Sequence, residues 1–421
     1  MKIDAQRWGQ LLGAEGVSTL RSVGRPVAGL AGETPVVAPN ELAGVQEALR
    51  FAQSERLRVL PAGALEHLAW GAAPGDVDVV LSARRMDRVL EYEPEDLTLV
   101  AQAGVTLHAI EAQTREHQQR LGPDPWPGTA GTLGGACAAG RFGLCRLRYG
   151  TLRDAVLGAR VVHADGATTR TGGKVVKNVT GYDLSKIYIG SQGSLVFIAE
   201  LNLRLLARPH ATALVHTILP FGTARQRLWD LHRGRLQPAA IVVTNAFTAN
   251  DGEARTVPRH GDSVDLLVRF EGRAPVVEQQ AKACKAQLEG RIVAAAREPW
   301  QALCAFTTPQ PSSTLLQVSA VPTSVLDVVA AARQRLDANV AFVGLFGVGT
   351  TWLQSARADA ASVRTFYDAL PHGWYLRVVD RLETRSYGRA GAAKLQRALK
   401  SKFDPHDVLR PAPNVHEEMS L

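Results

Sequence analysis

From Leu195 to Leu205 apolar residues hold every odd position, namely Leu195, Phe197, Ala199, Leu201, Leu203 and Leu205, while Glu200, Asn202 and Arg204 fall between them. That alternation predicts a long half-buried strand, closed by Arg208-Pro209. Upstream, Val36-Val37-Ala38-Pro39 is a short extended run. Asn40-Glu41-Leu42 opens a helix with a good N-cap, and Val45, Leu49 and Ala52 keep helical spacing. Leu57 to Leu60 reads as a strand that delivers the tight loop Pro61-Ala62-Gly63-Ala64, which makes a β-α-β opening. Val77 to Leu81 is another strand. Val89 to Glu93 and Leu97 to Gln102 form a pair turned by Pro94-Glu95-Asp96, and Leu107 to Arg120 is helical. Ala155 to Val162 and Thr168 to Thr171 make a hairpin across Ala164-Asp165-Gly166.

Beyond Pro209 the texture changes. Strands are predicted at Ala213–Leu219, Ala240–Phe247, Ser263–Phe270, Leu315–Val321 and Val340–Val348. Helices are predicted near Thr223–Arg233, Val276–Leu288, Thr323–Leu336 and Ala358–Leu370. This is an α+β pattern with antiparallel sheet. A basic helix from Lys394 to Lys402 stops before Phe403-Asp404-Pro405. The chain therefore divides into a polar, Gly-rich lead (1–33), a first α+β domain (34–208), a second (209–393) and a C-terminal helix and tail (394–421).

Composition narrows the function. At 421 residues and 46% hydrophobic, the chain can fill the cores of two or three domains. No run of about twenty apolar residues would span a bilayer. Met1 to Trp8 lacks an apolar signal core, so a cytoplasmic protein is expected. The net charge of +8 is spread along the sequence. A diphosphate, an anionic substrate or an acidic partner would gain from it. Nucleic acid is not expected, since no basic run interleaves with aromatics. Cys137, Cys145, Cys284 and Cys304 form no CxxC pair, so reduced, packed thiols are expected rather than an iron–sulfur or zinc framework. No metal site is expected.

The stretch Pro127 to Arg208 carries the candidate chemistry. Thr129, Gly131, Thr132, Leu133, Gly134 and Gly135 open it, and Gly140 and Arg148-Tyr149-Gly150 follow. Gly172 to Asp183 and Gly190-Ser191-Gln192-Gly193-Ser194-Leu195 complete it. Small residues suit a ligand that must touch backbone, because a Cβ would hold a phosphate or ring away from the N–H groups.

In their order these segments resemble the FAD-linked oxidase superfamily with the vanillyl-alcohol-oxidase (PCMH-type) flavin domain, and within it the FAD-binding E subunit of bacterial glycolate oxidase. Phe403-Asp404-Pro405-His406-Asp407-Val408-Leu409-Arg410-Pro411 resembles the closing FDPxxxLNP signature, and Pro299 to Leu303 with Val318 to Pro322 resembles the E-subunit second half. The resemblance runs from about Val23 onward. It implies an α+β fold of two α+β subdomains that sandwich FAD, followed by an α+β cap with antiparallel sheet. It also implies that Thr129 to Gly135 face the isoalloxazine and diphosphate, that Gly140 to Gly150 meet the ribityl and diphosphate region, and that Gly190, Gly193 and Val196 to Ile198 hold the adenine end. Lys177 and Asn178 are expected near the flavin, and Gly63 in the first loop.

The departures are specific. The family's Arg-Gly-Gly-Gly-Thr loop reads Ala62-Gly63-Ala64-Leu65 here, with Glu66 following, and a family glycine is Val196. Alanine tolerates only negative φ, so part of the N–H nest is expected to be reshaped and flavin binding weakened. The metal-binding histidines of catalytic relatives have no counterpart, and Gly344-Leu345-Phe346-Gly347-Val348-Gly349 replaces a His-Ala-Gly-x-Gly segment, so no base can be named.

Among the remaining residues, Tyr182 is expected to be a buried packing ring and Asp183 an N-cap. Arg153-Asp154 reads equally as a phosphate brace or an ion pair. Arg377, Asp380, Arg381, Glu383 and Arg385 read as a solvated strand face. His67, His108 and His163 read as surface or supporting residues.

The resemblance implies an FAD-binding subunit of a glycolate (2-hydroxy acid) oxidase complex, with a second flavoprotein subunit and an iron–sulfur subunit as partners and peripheral contact with the inner membrane face open to it. The alternatives are a non-catalytic subunit with weakened or lost FAD, and a stand-alone FAD-dependent alcohol oxidase.

Overall fold

The structure is a computed structural model that describes residues 5–24, 27, 29–66, 68, 75–123, 131–173, 182–250, 253–255, 261–293, 297–310, 313–379, 386–387 and 390–410. The chain has an α+β fold built on three main sheets.

The first sheet contains β1 (Val17–Thr19), β2 (Pro35–Val37), β3 (Val59–Ala62) and β4 (Val79–Ser82), in the order β1-β2-β4-β3. Its β2-β4-β3 part is parallel, and α3 (Leu42–Ser54) makes the crossover from β2 to β3. The expected cap of α3 is not made: Glu41 holds the N-cap position without a side-chain hydrogen bond. β1 comes from the N-terminal lead, between α1 (Ala5–Leu12) and α2 (Leu20–Val23), and pairs antiparallel with β2. Trp8 of α1 is buried at 1% exposure, which makes the lead part of the first core.

The second sheet holds β5 (Val89–Glu93), β6 (Thr98–Gln102), β7 (Gln119–Leu121), β8 (Val156–Val162), β9 (Thr168–Gly172) and β10 (Phe197–Ala207). β10 is its centre, with β6 on one side and β8 on the other. Phe197, Ala199, Leu201, Leu203 and Leu205 are buried along it, as the alternation predicts. The helix expected from Leu107 to Arg120 ends early, as α4 (Leu107–Arg115), because Gln118 takes a left-handed φ of 54° and turns the chain into β7. Short helices α5 (Leu133–Ala138), α6 (Arg146–Tyr149), α7 (Leu152–Ala155) and α8 (Ser185–Tyr188) fill the connections.

The third sheet has nine strands and is antiparallel throughout. Its order is β16-β11-β15-β12-β18-β19-β17-β20-β21, from β11 (Ala211–Pro220), β12 (Ala240–Thr244), β15 (Ser263–Gly272), β16 (Arg291–Ile292), β17 (Thr314–Ser319), β18 (Ala341–Leu345), β19 (Thr350–Ser355), β20 (Tyr375–Val379) and β21 (Ser386–Tyr387). A separate ribbon pairs β13 (Thr248–Asn250) with β14 (Glu253–Arg255). Helices α9 (Phe221–Arg233), α10 (Ala274–Leu288), α12 (Val325–Arg335) and α13 (Ala360–Asp368) contribute to the core on one face. The opposite face packs on α11 (Arg297–Phe306) and on Leu144 and Cys145 from the first half of the chain. Both faces are buried, so β12 reads as an unbroken apolar run: Ile241 and Val243 belong to one core, Ala240 and Val242 to the other. The final helix, α14 (Ala390–Phe403), returns to the first two sheets, where Leu399 and Phe403 join the first core.

A buried ion cluster fastens the two halves. Glu271 of β15, whose side chain is 1% exposed, accepts from Arg120 of β7 at 2.6 Å, from Arg269 at 2.6 Å and from the Tyr149 hydroxyl at 2.9 Å. The guanidinium of Arg120 also covers the Tyr149 ring, and that of Arg269 covers Trp300. Burial pushes the Glu271 carboxyl up, but Arg269 and Arg120 outweigh it and hold the group below its ordinary value of 4.5. A lowered folded pKa adds stability above the unfolded value, and that stability is lost as pH falls through the folded value. Glu271→Gln is therefore expected to cost about 3 kcal/mol in urea unfolding at pH 7. Its deficit relative to wild type should shrink as pH falls below 4.5.

Candidate functional site

β3 carries the chain into a cleft between the first two sheets. Ala62 accepts from Ala83 N–H at 2.8 Å, and the Gly63 carbonyl accepts from the buried Ser82 hydroxyl at 3.0 Å, so the loop is anchored on β4. Gly63 leaves no room for a side chain, since a Cβ there would lie 1.9 Å from Thr132 Oγ1. Thr132 caps α5 by accepting from Gly135 N–H at 3.2 Å, while Leu133 and Gly134 donate to Val105 and Ala103. The third wall is the turn before β10, where Gly190 and Gln192 donate to Cys137 and Ala138 at the end of α5. Ala62, Gly63, Gly134, Gly135, Gly193 and Val196 line the narrow cleft so formed, with Ala83 and Ala103 in its walls.

The first loop keeps its donors despite the lost glycines. Ala62 and Ala64 both have negative φ, which alanine takes without strain, whereas Leu65 sits at φ 63° in the left-handed region. The penalty there, about 1–2 kcal/mol, is offset by packing of the Leu65 side chain on the cluster of Leu20, Val27, Val36, Leu60 and Val80. Gly63 and Ala64 are buried, yet among the described residues no acceptor meets the N–H groups of Gly63, Ala64 or Leu65. Buried N–H groups without an acceptor are rare. A run of them before a left-handed residue makes a concavity suited to an anion. Small walls and three successive donors fit the diphosphate of a dinucleotide.

The C-terminal signature holds this arrangement from behind. Lys400 of α14, buried at 7% exposure, donates to Asp404 at 2.5 Å, to the Leu409 carbonyl at 2.7 Å and to the Ser194 carbonyl at 3.0 Å. Asp404 in turn accepts from Val408 and Leu409 N–H. The tail then runs parallel to β3: Val59 donates to Val408, and Arg410 donates back to Val59. One buried pair thus links the tail beside β3, the strand that delivers the first loop, to the 190–195 turn.

Several sequence-predicted residues meet in this cleft: Gly63, Gly134, Gly135, Gly193, Val196 and Ile198 line it. Thr132 and Leu133 build its α5 wall from within the core, and the Gly131 carbonyl accepts from Leu107. Gly140 and Gly190 pack backbone on backbone, where a Cβ on Gly140 would come 3.2 Å from Gly190 Cα. Arg148, Tyr149 and Gly150 do not line the cleft: Arg148 is exposed, Tyr149 serves the Glu271 cluster, and Gly150 abuts Asp154. Thr129, Lys177 and Asn178 lie outside the described residues.

Other expectations are corrected. Tyr182 is 93% exposed, because α8 starts after it and turns its ring away from any core. Asp183 is not the N-cap of α8, a position held by Leu184; it accepts from the Ser185 hydroxyl. Asp154 accepts from Thr151 N–H and hydroxyl in a capping box, rather than pairing with Arg153. Arg377 is half-buried, because β20 is paired on both sides by β17 and β21. Asp380, Arg381, Glu383, Arg385 and His67 lie outside the described residues. Lys400 was hidden in the sequence as one more basic helix residue; its signal is the i,i+4 spacing to Asp404. Among the described residues, no group of three or more His, Cys, Asp and Glu could hold a metal ion, and no helix is long and apolar enough to cross a membrane.

Comparison with known proteins fits this geometry. Residues 34–172 match the FAD binding domain family. The chain is 28% identical over 416 residues to glycolate oxidase subunit GlcD of Bacillus subtilis (strain 168), covering 89% of this chain and 87% of that protein. It is 34% identical over 154 residues to glycolate oxidase subunit GlcE of Escherichia coli (strain K12), covering 36% of this chain and 43% of that one. The crystal structure of p-cresol methylhydroxylase with substrate bound shares the fold with a TM-score of 0.70 at 15% identity, covering 98% of this chain and 96% of that one.

Two substitutions test the cleft. Asp404→Ala leaves Lys400 buried without its carboxylate and is expected to destabilise the protein by about 3–5 kcal/mol in denaturant unfolding. Gly63→Ala drives a methyl group into Thr132 Oγ1 and should cost about 1–3 kcal/mol. The cost should be smaller in a Thr132→Ala background, a non-additivity that a double-mutant cycle reads directly.

Proposed function

We propose that this chain, whose residues 34–172 match the FAD binding domain family, is a flavoprotein of the PCMH type and the FAD-binding subunit of a 2-hydroxy acid oxidase or dehydrogenase. Glycolate is the favoured substrate, since both relatives named above are glycolate oxidase subunits. The observation that carries the reading is the small-residue cleft lined by Gly63, Gly134, Gly135 and Gly193, beside a first loop whose Gly63, Ala64 and Leu65 N–H groups meet no acceptor among the described residues.

In this reading those N–H groups hold the diphosphate, and Gly134 and Gly135 let it approach α5. Gly190, Gly193 and the backbone of Val196 to Ile198 take the adenine end. Thr129, Gly131, Lys177 and Asn178 are assigned to the ring side by resemblance. Bound FAD supplies the two-electron acceptor for the hydride on the carbon that bears the substrate hydroxyl. The chain's own share is to bind and orient. No His or carboxylate is assigned as the base, which places proton removal with a second flavoprotein subunit. Electrons leave through a separate iron–sulfur subunit, since Cys137, Cys145, Cys284 and Cys304 form no CxxC pair of the kind that holds a cluster. The proposed division is an FAD-binding domain at 34–208, a cap at 209–393 and a tail at 394–421, with the lead adding β1. The net charge of +8 favours contact with anionic lipid on the cytoplasmic face.

The test is the visible spectrum of the purified chain before and after FAD titration. A flavin spectrum that survives gel filtration is expected, together with glycolate-dependent dye reduction only when the partner subunits are added. A colourless protein that cannot be reconstituted sinks the flavin reading. Glycolate oxidation by the chain alone overturns the shared-subunit reading.

A further inference from the structure

The last helix carries charge that its own structure does not use. α14 reads AGAAKLQRALKSKF, with four Lys and Arg and no Asp or Glu. One of the four, Lys400, is turned inward onto Asp404. Leu399 and Phe403 pack on the first core beside it, and Gln396 is half-buried. At about 100° per residue these four positions share one side of the helix. The other side, an arc about 160° wide, holds Lys394, Leu395, Arg397, Ala398, Ser401 and Lys402, all of them exposed. Leu395 is 62% exposed among the cations.

Nothing within the helix accounts for those cations. The dipole favours positive charge only in the last turn, which covers Lys402 but neither Lys394 nor Arg397. No carboxylate stands three or four residues from any of the three. Arg397 instead has Lys394 and Lys400 at that spacing, a like-charge arrangement that weakens a helix. Among the described residues Lys394 and Lys402 enter no ion pair. The nearby carboxylate of the tail, Asp407, is held by Arg410 at 2.5 Å. A cationic arc kept at a cost to the helix points to an anionic surface outside the chain.

We propose that the outer face of α14 docks on anionic lipid headgroups, with Lys394, Arg397 and Lys402 against the phosphates and Leu395 entering the layer between them. A membrane fits this face better than an acidic protein does. The face is one convex ridge, about 12 Å from Lys394 to Lys402, whereas a stable protein partner covers about 800 Å2. Lipid moulds itself to a ridge and needs only a few cations and an inserted apolar side chain. The inference rests on the lipid contact proposed above from net charge and gives it a place; it does not depend on the flavin.

The experiment is co-sedimentation of the full FAD-treated chain with phosphatidylcholine vesicles, with and without phosphatidylglycerol. Binding is expected only where phosphatidylglycerol is present, and it should be lost at about 1 M salt, where the screening length is about 3 Å. Each of Lys394→Gln, Arg397→Gln and Lys402→Gln should lower vesicle partition about fivefold, and the triple variant about a hundredfold. These positions are exposed, so the urea midpoint should stay at the wild-type value. A control of equal charge loss, Arg233→Gln with Arg235→Gln and Arg273→Gln on exposed sites of the second half, should bind as wild type does. Wild-type binding by the triple variant, or an equal loss in the control, overturns this surface and leaves the lipid contact standing. No binding of the wild-type chain to any vesicle overturns both. A chain that ignores vesicles but binds polyglutamate through this face overturns the lipid assignment in favour of an acidic protein. Flavin absorbance of the same samples is read separately: colourless protein that binds vesicles sinks the flavin reading and leaves this surface in place.

Discussion

The buried Lys400–Asp404 pair is the constraint on which the cleft depends. Taking both charges out of water is expensive, and the expense is met only because every remaining donor and acceptor finds a partner. Lys400 reaches two carbonyls besides Asp404, and Asp404 collects two N–H groups of the tail. Those partners come from the C-terminal tail that runs beside β3 and from the 190–195 turn, segments far apart in sequence. Moving either would strand a buried charge. The first loop and the turn before β10 are therefore held at a fixed separation, which a cofactor lying between them requires.

Inside that frame, the chemistry of the cleft comes from backbone and not from side chains. The walls are largely alanine and glycine, closed by Pro61, Val196, Phe197 and Ile198, and the first loop beside them carries the N–H groups of Gly63, Ala64 and Leu65. A nest of this kind tolerates changes of side chain so long as φ is respected. Ala62 and Ala64 sit where alanine is at ease, while the one left-handed position falls on Leu65, whose side chain turns into the apolar cluster beneath the sheet. The loop thus gives up a hydroxyl and gains a hydrophobic anchor without surrendering its donors.

The second half of the molecule is fixed to the first by similar physics. Glu271 draws arginines from two sheets into one buried cluster, and the face of the nine-stranded sheet opposite its helices closes over Leu144 and Cys145.

What was legible in the sequence was whatever is written in local period and turn chemistry. β10 followed from alternation, the β8–β9 hairpin from Ala164-Asp165-Gly166, and the α+β texture beyond Pro209 from apolar runs. The family resemblance rested on the order of glycine segments, and the matched FAD binding domain lies over much of that stretch. Local reading failed where a long-range contact overrode it. The end of α4 depended on a left-handed Gln118, the exposure of Tyr182 on where α8 begins, and the burial of Arg377 on a strand pairing with β21 that no local pattern announces. The sequence by itself determined the elements, their order and the smallness of the cleft walls, because periodicity and glycine content act within a few residues. Only the tertiary structure decided that the lost glycines leave the donors in place and that Lys400 ties the cleft shut from behind. Those facts depend on the φ of single residues and on which distant groups meet in a low-dielectric interior, and neither is encoded by spacing along the chain.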